Sequence, residues 1–172
     1  MKLGFIGTGN ITAAVVNGIC GSKIAFKKIL VSPKNKSNAL KLSKKFKKVS
    51  IAKTNQEIVD KCNWVFLAIT PKVGEQIIPK LKFRSNQKVV SFISTIKLAQ
   101  LKKFIKKKVK IVRAIPLPPI SIGKGPVPIC PPDNQVKSFF DKIGTTIEIK
   151  SEKLSNSFRS MSGMMEIGRA HV

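Results

Sequence analysis

Apolar positions along this chain follow two alternating rhythms. Short, nearly unbroken apolar runs occur at Lys2–Ile6, Lys28–Ser32, Val49–Ala52, Asn63–Ile69, Lys88–Ile93 and Val109–Ala114. Between them lie stretches where apolar residues return every three or four positions: Asn10–Cys20, Lys36–Phe46, Gln56–Lys61, Val73–Leu81 and Leu98–Lys107. An unbroken run suits a strand buried on both faces, and the longer spacing suits a helix with one inward stripe. In the first helix that stripe is Ile11, Val15 and Ile19 with Ala14 and Gly18; in the second it is Ala39, Leu40, Leu42 and Phe46. Strands and helices alternating in this way predict an α/β fold: a Rossmann-type, doubly wound, mostly parallel sheet with helices on both faces.

The texture changes at residues 115–132, which hold seven of the ten prolines. That density predicts an ordered, turn-rich connection or an edge strand rather than a helix. Val136–Ile143 reads as helical, Thr145–Ile149 alternates like an edge strand, and a helical pattern begins at Leu154. No internal repeat is visible. The last seven residues, EIGRAHV at 166–172, read like a translated sequencing-adapter fragment rather than native sequence and are set aside from the fold.

At 172 residues and 42% hydrophobic content the chain has the size of about one domain with a sizeable core. The three cysteines (Cys20, Cys62, Cys130) form no C-x-x-C pair, so neither a zinc site nor a redox dithiol is indicated, and no metal is expected. Gly7, Thr8, Gly9, Asn10 and Thr12 interrupt the apolar core that a secretion signal needs, and no stretch is long and apolar enough for a membrane span. Reduced thiols in a cytoplasm follow as the expectation.

Charge is the unusual feature: 33 basic against 8 acidic residues, net +25. Only Arg84, Arg113, Arg159 and Arg169 are arginines; the rest of the basic residues are lysines. Nucleic-acid readers favour arginine's planar fork, so a lysine excess spread along the chain reads as solvated faces. The KKFIKKKVK stretch at 102–110 fits a solvated helix end leading into a strand.

The opening stretch, GFIGTGNITAAVVNGI, carries the clearest chemistry. A strand ending at Gly7 and a helix starting near Asn10 form a turn that can hold a phosphate. Gly7 permits the tight bend, Gly9 lets backbone approach a pyrophosphate, and the helix start offers free N–H groups and partial positive charge. The third fingerprint position, usually Gly or Ala, is Thr12. About 20 residues on, NAD-selective enzymes place an acidic residue at the end of the second strand. Here that strand ends VSPKNKSN: Ser32 and Asn35 can donate hydrogen bonds, and Lys34 and Lys36 add positive charge. No carboxylate is present to repel a 2′-phosphate, which argues for NADP over NAD.

The segments GFIGTGNITAAVVNGI, FLAITPKVGEQII, VVSFISTIKLAQL and IVRAIPLPPISIGKGPV, in this order and spacing, resemble the N-terminal half of the pyrroline-5-carboxylate reductase family over nearly all of residues 2–165. That family reduces a cyclic imine to proline with NAD(P)H. The resemblance implies that Gly7, Gly9, Asn10 and Ile11, with Thr8 between them in the sequence, form the nucleotide turn, and that Ser32, Lys34 and Asn35, with Lys36 adding charge beside them, form the 2′-phosphate loop. It also implies that Ala68, Ile69, Thr70 and Pro71 line the cofactor, and that Arg113, Ala114 and Pro116 lie near the nicotinamide. Ser162 and Gly163 match the start of the family's substrate-binding helix.

Two positions depart from the family pattern, both near its substrate end. Thr70 stands where Lys is common, and Leu117-Pro118 stands where Asn-Thr is common. The implied organisation is an NADP-binding domain at 1–150, the start of a truncated helical dimerisation domain at 151–165, and the adapter-like tail. A chain so divided should bind nucleotide yet show little or no turnover, while the intact protein should be a homo-oligomer acting on a small-molecule imine.

An imine, once protonated, is already electrophilic, so the lack of a histidine before His171 and of paired carboxylates fits. No residue stands out as catalytic. Cys130 reads as a buried thiol rather than a nucleophile, and Trp64 as core rather than a stacking platform. Two other classes stay open: another NADP-linked oxidoreductase, of β-hydroxyacid dehydrogenase or deazaflavin-linked type, and a basic nucleic-acid-binding protein.

Overall fold

The computed structural model describes residues 1–152. Among these, eight strands form one sheet: β1 (Lys2–Ile6), β2 (Lys28–Val31), β3 (Val49–Ile51), β4 (Trp64–Leu67), β5 (Lys88–Ser91), β6 (Lys110–Ala114), β7 (Pro126–Cys130) and β8 (Thr145–Glu148). Their spatial order is β3-β2-β1-β4-β5-β6-β7-β8. All neighbours are parallel except β6 and β7, which pair antiparallel through Arg113–Cys130 and Ala114–Ile129. Six α-helices, α1 (Asn10–Cys20), α2 (Lys36–Lys45), α3 (Asn55–Lys61), α4 (Pro71–Ile77), α5 (Leu98–Ile105) and α6 (Asn134–Phe140), cover it.

Apolar runs work here because alternate residues serve opposite faces of the sheet. Leu3 and Phe5 of β1, Phe66 of β4, Val90 of β5 and Val112 of β6 pack with α1, α2 and α6. Ile6, Val65, Leu67, Val89 and Ile111 pack on the other face with α3, α4 and α5. Phe5 stacks on Phe66 with ring centres 4.5 Å apart, and Phe139 of α6 lies against both Phe66 and Trp64. Trp64 is thus a core-edge residue, half-buried, with the Lys88 ammonium 5.2 Å from its ring centre.

Three details differ from the sequence reading. Leu40, placed on the inward stripe of α2, is 48% exposed. Successive helix residues turn by about 100°, so a stripe centred on Ala39, Leu42 and Phe46 points Leu40 outward. The helix expected over 73–81 begins at Pro71 and stops at Ile77, giving way to a 3-10 turn at Ile78–Lys80. Pro79, which has no N–H to donate, accounts for the change.

The third difference is β7, which is an interior strand despite its prolines. Its ladder to β8 runs through alternate residues, with Thr145 and Ile149 N–H groups donating to the Gly125 and Ile129 carbonyls. Pro126 and Pro128 fall on the positions between, and β6 pairs only with the last two residues of β7. The Pro128 carbonyl still accepts from Ile115 N–H at 3.0 Å. The helical pattern beginning at Leu154 lies outside the described residues.

Two close contacts tie the proline-rich segment and α6 to the rest. Helix α1 lies directly on the 3-10 turn Pro118–Ile122: a Cβ on Gly18 would overlap the Ile120 carbonyl oxygen. At the other end of the sheet, buried Lys88 bonds both Asp133 oxygens at 2.6 and 2.7 Å, while Asp133 caps α6 by accepting from Gln135 and Val136 N–H. Burial pushes the Asp133 carboxyl up, but the Lys88 ammonium and the capping N–H groups outweigh it and hold the group below the ordinary carboxylate range.

Gly18→Ala is therefore expected to destabilise the fold by about 1–3 kcal/mol in urea denaturation, since backbone on the facing side cannot yield. Gly21→Ala, at a helix end with φ −87° and only ordinary contacts, should change stability by less than about 1 kcal/mol. Equal effects at the two sites would contradict this packing.

The Asp133 pairing has a pH signature. A carboxyl whose pKa is depressed on folding contributes stability above its unfolded value, near 4, and loses it as pH falls through the folded value. Asp133→Asn should lower the urea midpoint at pH 7 and flatten its decline between about pH 5 and pH 3. Wild-type and variant curves that run parallel across that window would contradict the assignment.

Candidate functional site

The sheet turns over its winding direction between β1 and β4, because β2 and β3 lie on one side of β1 while β4, β5 and β6 lie on the other. In open α/β sheets ligands bind outside the carboxyl ends of the strands at such a switch point. The connections leaving β1, β2, β4 and β6 supply the candidate residues.

The turn after β1 is built tightly. Gly7 has φ 97°, a left-handed conformation, and a Cβ there would overlap the Ala68 carbonyl and come within 2.7 Å of Ile69 Cγ2. No residue with a side chain fits that position. Thr12, in the third fingerprint position, is buried and donates its hydroxyl to the Gly7 carbonyl at 2.8 Å. Buried Thr8 donates to the Ser32 carbonyl at 2.7 Å, and Asn38 Nδ2 donates to the Thr8 carbonyl at 3.2 Å. The turn is thereby fixed to the end of β2.

Gly9 caps α1 without a side chain, and no atom lies within 4 Å of where its Cβ would be. No acidic residue occupies the first turn of α1. The first amides of the helix thus face an open space with their positive end uncompensated, as anion binding requires. Asn10 is exposed and Ile11 half-buried at this end.

Lys34, Asn35 and Lys36 stand exposed beyond β2. Asn35 adopts φ 62° and caps α2, accepting from Asn38 N–H at 3.4 Å. Ser32 is placed differently from its neighbours. It is buried, and its hydroxyl donates to Asn55 Oδ1 at 2.8 Å, which joins the end of β2 to the start of α3. The exposed groups on this loop are accordingly the lysines and Asn35. Asn38 and Asn55 escaped the sequence reading because their partners lie 30 and 23 residues away, with no local pattern to mark them.

Ala68 and Ile69 are half-buried against the Gly7 bend, while Thr70 and Pro71 are exposed at the start of α4. Ala114 and Pro116 are buried at the end of β6. Arg113 is 1% exposed and points into the protein, donating to the Ser94 carbonyl and pairing with Glu152. Ser162 and Gly163 lie outside the described residues.

Other chemistry is sparse. Burial pushes all three thiols above their ordinary range, Cys62 to about 11, so none is an activated nucleophile. Among the described residues no group of His, Cys, Asp or Glu could hold a metal, and no helix is long and apolar enough to cross a membrane. A cavity of about 270 Å³ opens at the opposite end of the sheet, lined by Asn63, Trp64, Asn86, Lys88, Lys110 and Gln135.

A glycine turn feeding an uncapped helix at the switch point of a parallel sheet is the arrangement of a dinucleotide-binding domain. The family of NADP oxidoreductases, coenzyme F420-dependent, matches residues 2–97, and the chain belongs to it. Pyrroline-5-carboxylate reductase 3 of Danio rerio is 28% identical over 128 residues, covering 73% of this chain and 44% of the relative. A crystal structure of 1-pyrroline-5-carboxylate reductase from Streptococcus pyogenes superposes with TM-score 0.80 at 23% identity, covering 97% of this chain and 65% of that one. The Plasmodium falciparum pyrroline carboxylate reductase with NADP bound gives TM-score 0.77 at 20% identity, covering 100% and 70%. The chain spans about half to two thirds of the length of the curated relatives it matches.

The two turn glycines should separate stability from binding. Gly7→Ala is expected to lose about 2 kcal/mol or more of stability through backbone strain and overlap. Gly9→Ala should fold within about 1 kcal/mol of wild type yet bind NADPH at least about 10-fold more weakly by calorimetry. Wild-type affinity in Gly9→Ala would contradict the placement of the diphosphate.

Proposed function

We propose that this chain is the nucleotide-binding part of an NADP-dependent reductase of cyclic imines, acting on 1-pyrroline-5-carboxylate to give proline, or on a close relative of that imine. The observation that carries the proposal is the open space at Gly9, facing uncapped helix amides, with a lysine-flanked loop beside it. Family membership and the named reductase relatives support the same reading.

The parts divide the ligand between them. Amides from Gly9 to Ile11 hold the diphosphate, with Thr8 and Thr12 fixing the bend. Lys34, Asn35 and Lys36 receive the 2′-phosphate, and Ser32 and Asn55 brace that loop from behind. Ala68, Ile69, Thr70 and Pro71 border the middle of the ligand, and Ala114 and Pro116 border the nicotinamide. The dinucleotide, when bound, supplies the hydride that reduces the C=N carbon. The protein's own residues orient that face and exclude water from it.

In this reading residues 1–150 are the nucleotide domain, the dimerisation domain begins at residue 151, and Ser162 and Gly163, which lie outside the described residues, meet the substrate. The protein in this reading is a cytoplasmic homo-oligomer. A second reading, a deazaflavin-linked NADP oxidoreductase, is favoured by the description of the matching family. Imine turnover by the intact protein with NADPH, against NADPH oxidation by oxidised F420, separates the two.

Reversing charge at the loop tests the cofactor choice. Lys34→Glu combined with Lys36→Glu should weaken NADPH about 5- to 10-fold while leaving NADH within about 2-fold. Equal loss for both nucleotides, or saturable binding of an oligonucleotide tighter than of NADPH, would contradict the proposal.

A further inference from the structure

At the carboxyl end of the sheet, three segments distant in sequence meet at one carboxylate. Glu152, just beyond β8, accepts from the Leu98 N–H at the start of α5, at 3.0 and 3.2 Å. The same carboxylate pairs with the Arg113 guanidinium, which is 1% exposed, and Arg113 also donates to the Ser94 carbonyl. The middle of the β5–α5 connection, at Ser94, and its junction with α5, at Leu98, are therefore held by Arg113 and Glu152.

That connection occupies a telling place. β5 lies between β4 and β6, whose carboxyl ends carry Ala68–Pro71 and Ala114–Pro116. Ile93 and Ile96 of the same connection pack at Gly74 of α4, the helix that Pro71 opens. A shift of residues 93–98 would thus move the wall on the nicotinamide side, whereas the turn at Gly7–Ile11 and the loop at Ser32–Lys36 belong to strands on the far side of β4.

We propose that Glu152 is a positioning residue for the nicotinamide half of the dinucleotide: it sets the β5–α5 connection and Arg113, and leaves the adenosine half untouched. The inference rests on the dinucleotide reading above. An acid at this position meets two groups at once: the buried Arg113 cation of β6 and the N–H at the start of α5. A neutral or apolar residue at 152 would leave the buried guanidinium without that charge and the Leu98 amide without that acceptor.

The test compares two ligands on the same folded chain. NADPH reports both halves, and adenosine 2′,5′-bisphosphate reports the adenosine half alone. Glu152→Ala should weaken NADPH about 10-fold while adenosine 2′,5′-bisphosphate stays within about 2-fold, both by calorimetry. Glu152→Gln keeps an acceptor for Leu98 and should fall between wild type and alanine for NADPH; if the alanine variant does not fold by circular dichroism, this variant is judged by the same ratio. Equal weakening of both ligands, or no change in either, would overturn the proposal. Failure of the wild-type chain to bind either ligand would instead overturn the dinucleotide reading, and this inference with it.

Discussion

The left-handed bend at Gly7, pressed against the Ala68 carbonyl, is the constraint from which the remaining geometry follows. It ends β1, brings the chain across the end of β4 and starts α1 with its amide end directed outward. Thr8 and Thr12 then donate their hydroxyls to backbone carbonyls, which fixes the bend; in the function proposed above it is thereby shaped for a phosphate before any ligand arrives. Preorganisation of this kind reduces what binding must spend on ordering. The sheet around it supplies rigidity: β1 sits between β2 and β4 with both faces buried.

Electrostatics act at two ranges. Over the whole surface the lysine excess sets a positive field that favours any anion and is screened by salt. In the function proposed above, specific recognition is left to few groups: helix amides at Gly9–Ile11 and the side chains at 34–36. The eight acidic residues of the chain include several with assigned structural tasks: Asp133 caps α6 and pairs Lys88, Glu57 accepts from Lys53 N–H and Lys61, and Glu152 joins Leu98 to Arg113. Acid is used in this fold mainly to hold backbone ends and buried cations in place.

Much of the fold was legible because parallel strands are buried on both faces and so appear as unbroken apolar runs; β1, β2, β4, β5 and β6 stand within two residues of where those runs predicted them. The glycine turn was legible because a left-handed bend and an open approach leave few residue choices. What stayed hidden depended on distant partners. β7 looked like a connection because prolines argue against an interior strand, and only the ladder to β8 reveals that they fall on the positions it leaves free. Ser32 donates to Asn55, 23 residues away with no local pattern to mark the pair, and nothing near Glu152 in sequence announces Arg113 or Leu98. Leu40 failed for a simpler reason, the angular width of a helix stripe.

In the function proposed above, backbone amides at the start of α1 hold the diphosphate of a dinucleotide. The most direct measurement is a ¹⁵N–¹H NMR titration of the chain with NADPH. The account predicts the largest amide shifts at Gly7, Gly9, Asn10, Ile11 and Thr12, followed by the loop at 34–36. Shifts centred instead on the cavity beside Lys88 and Lys110, or scattered over the lysine-rich surface with the 7–12 amides unmoved, would contradict it.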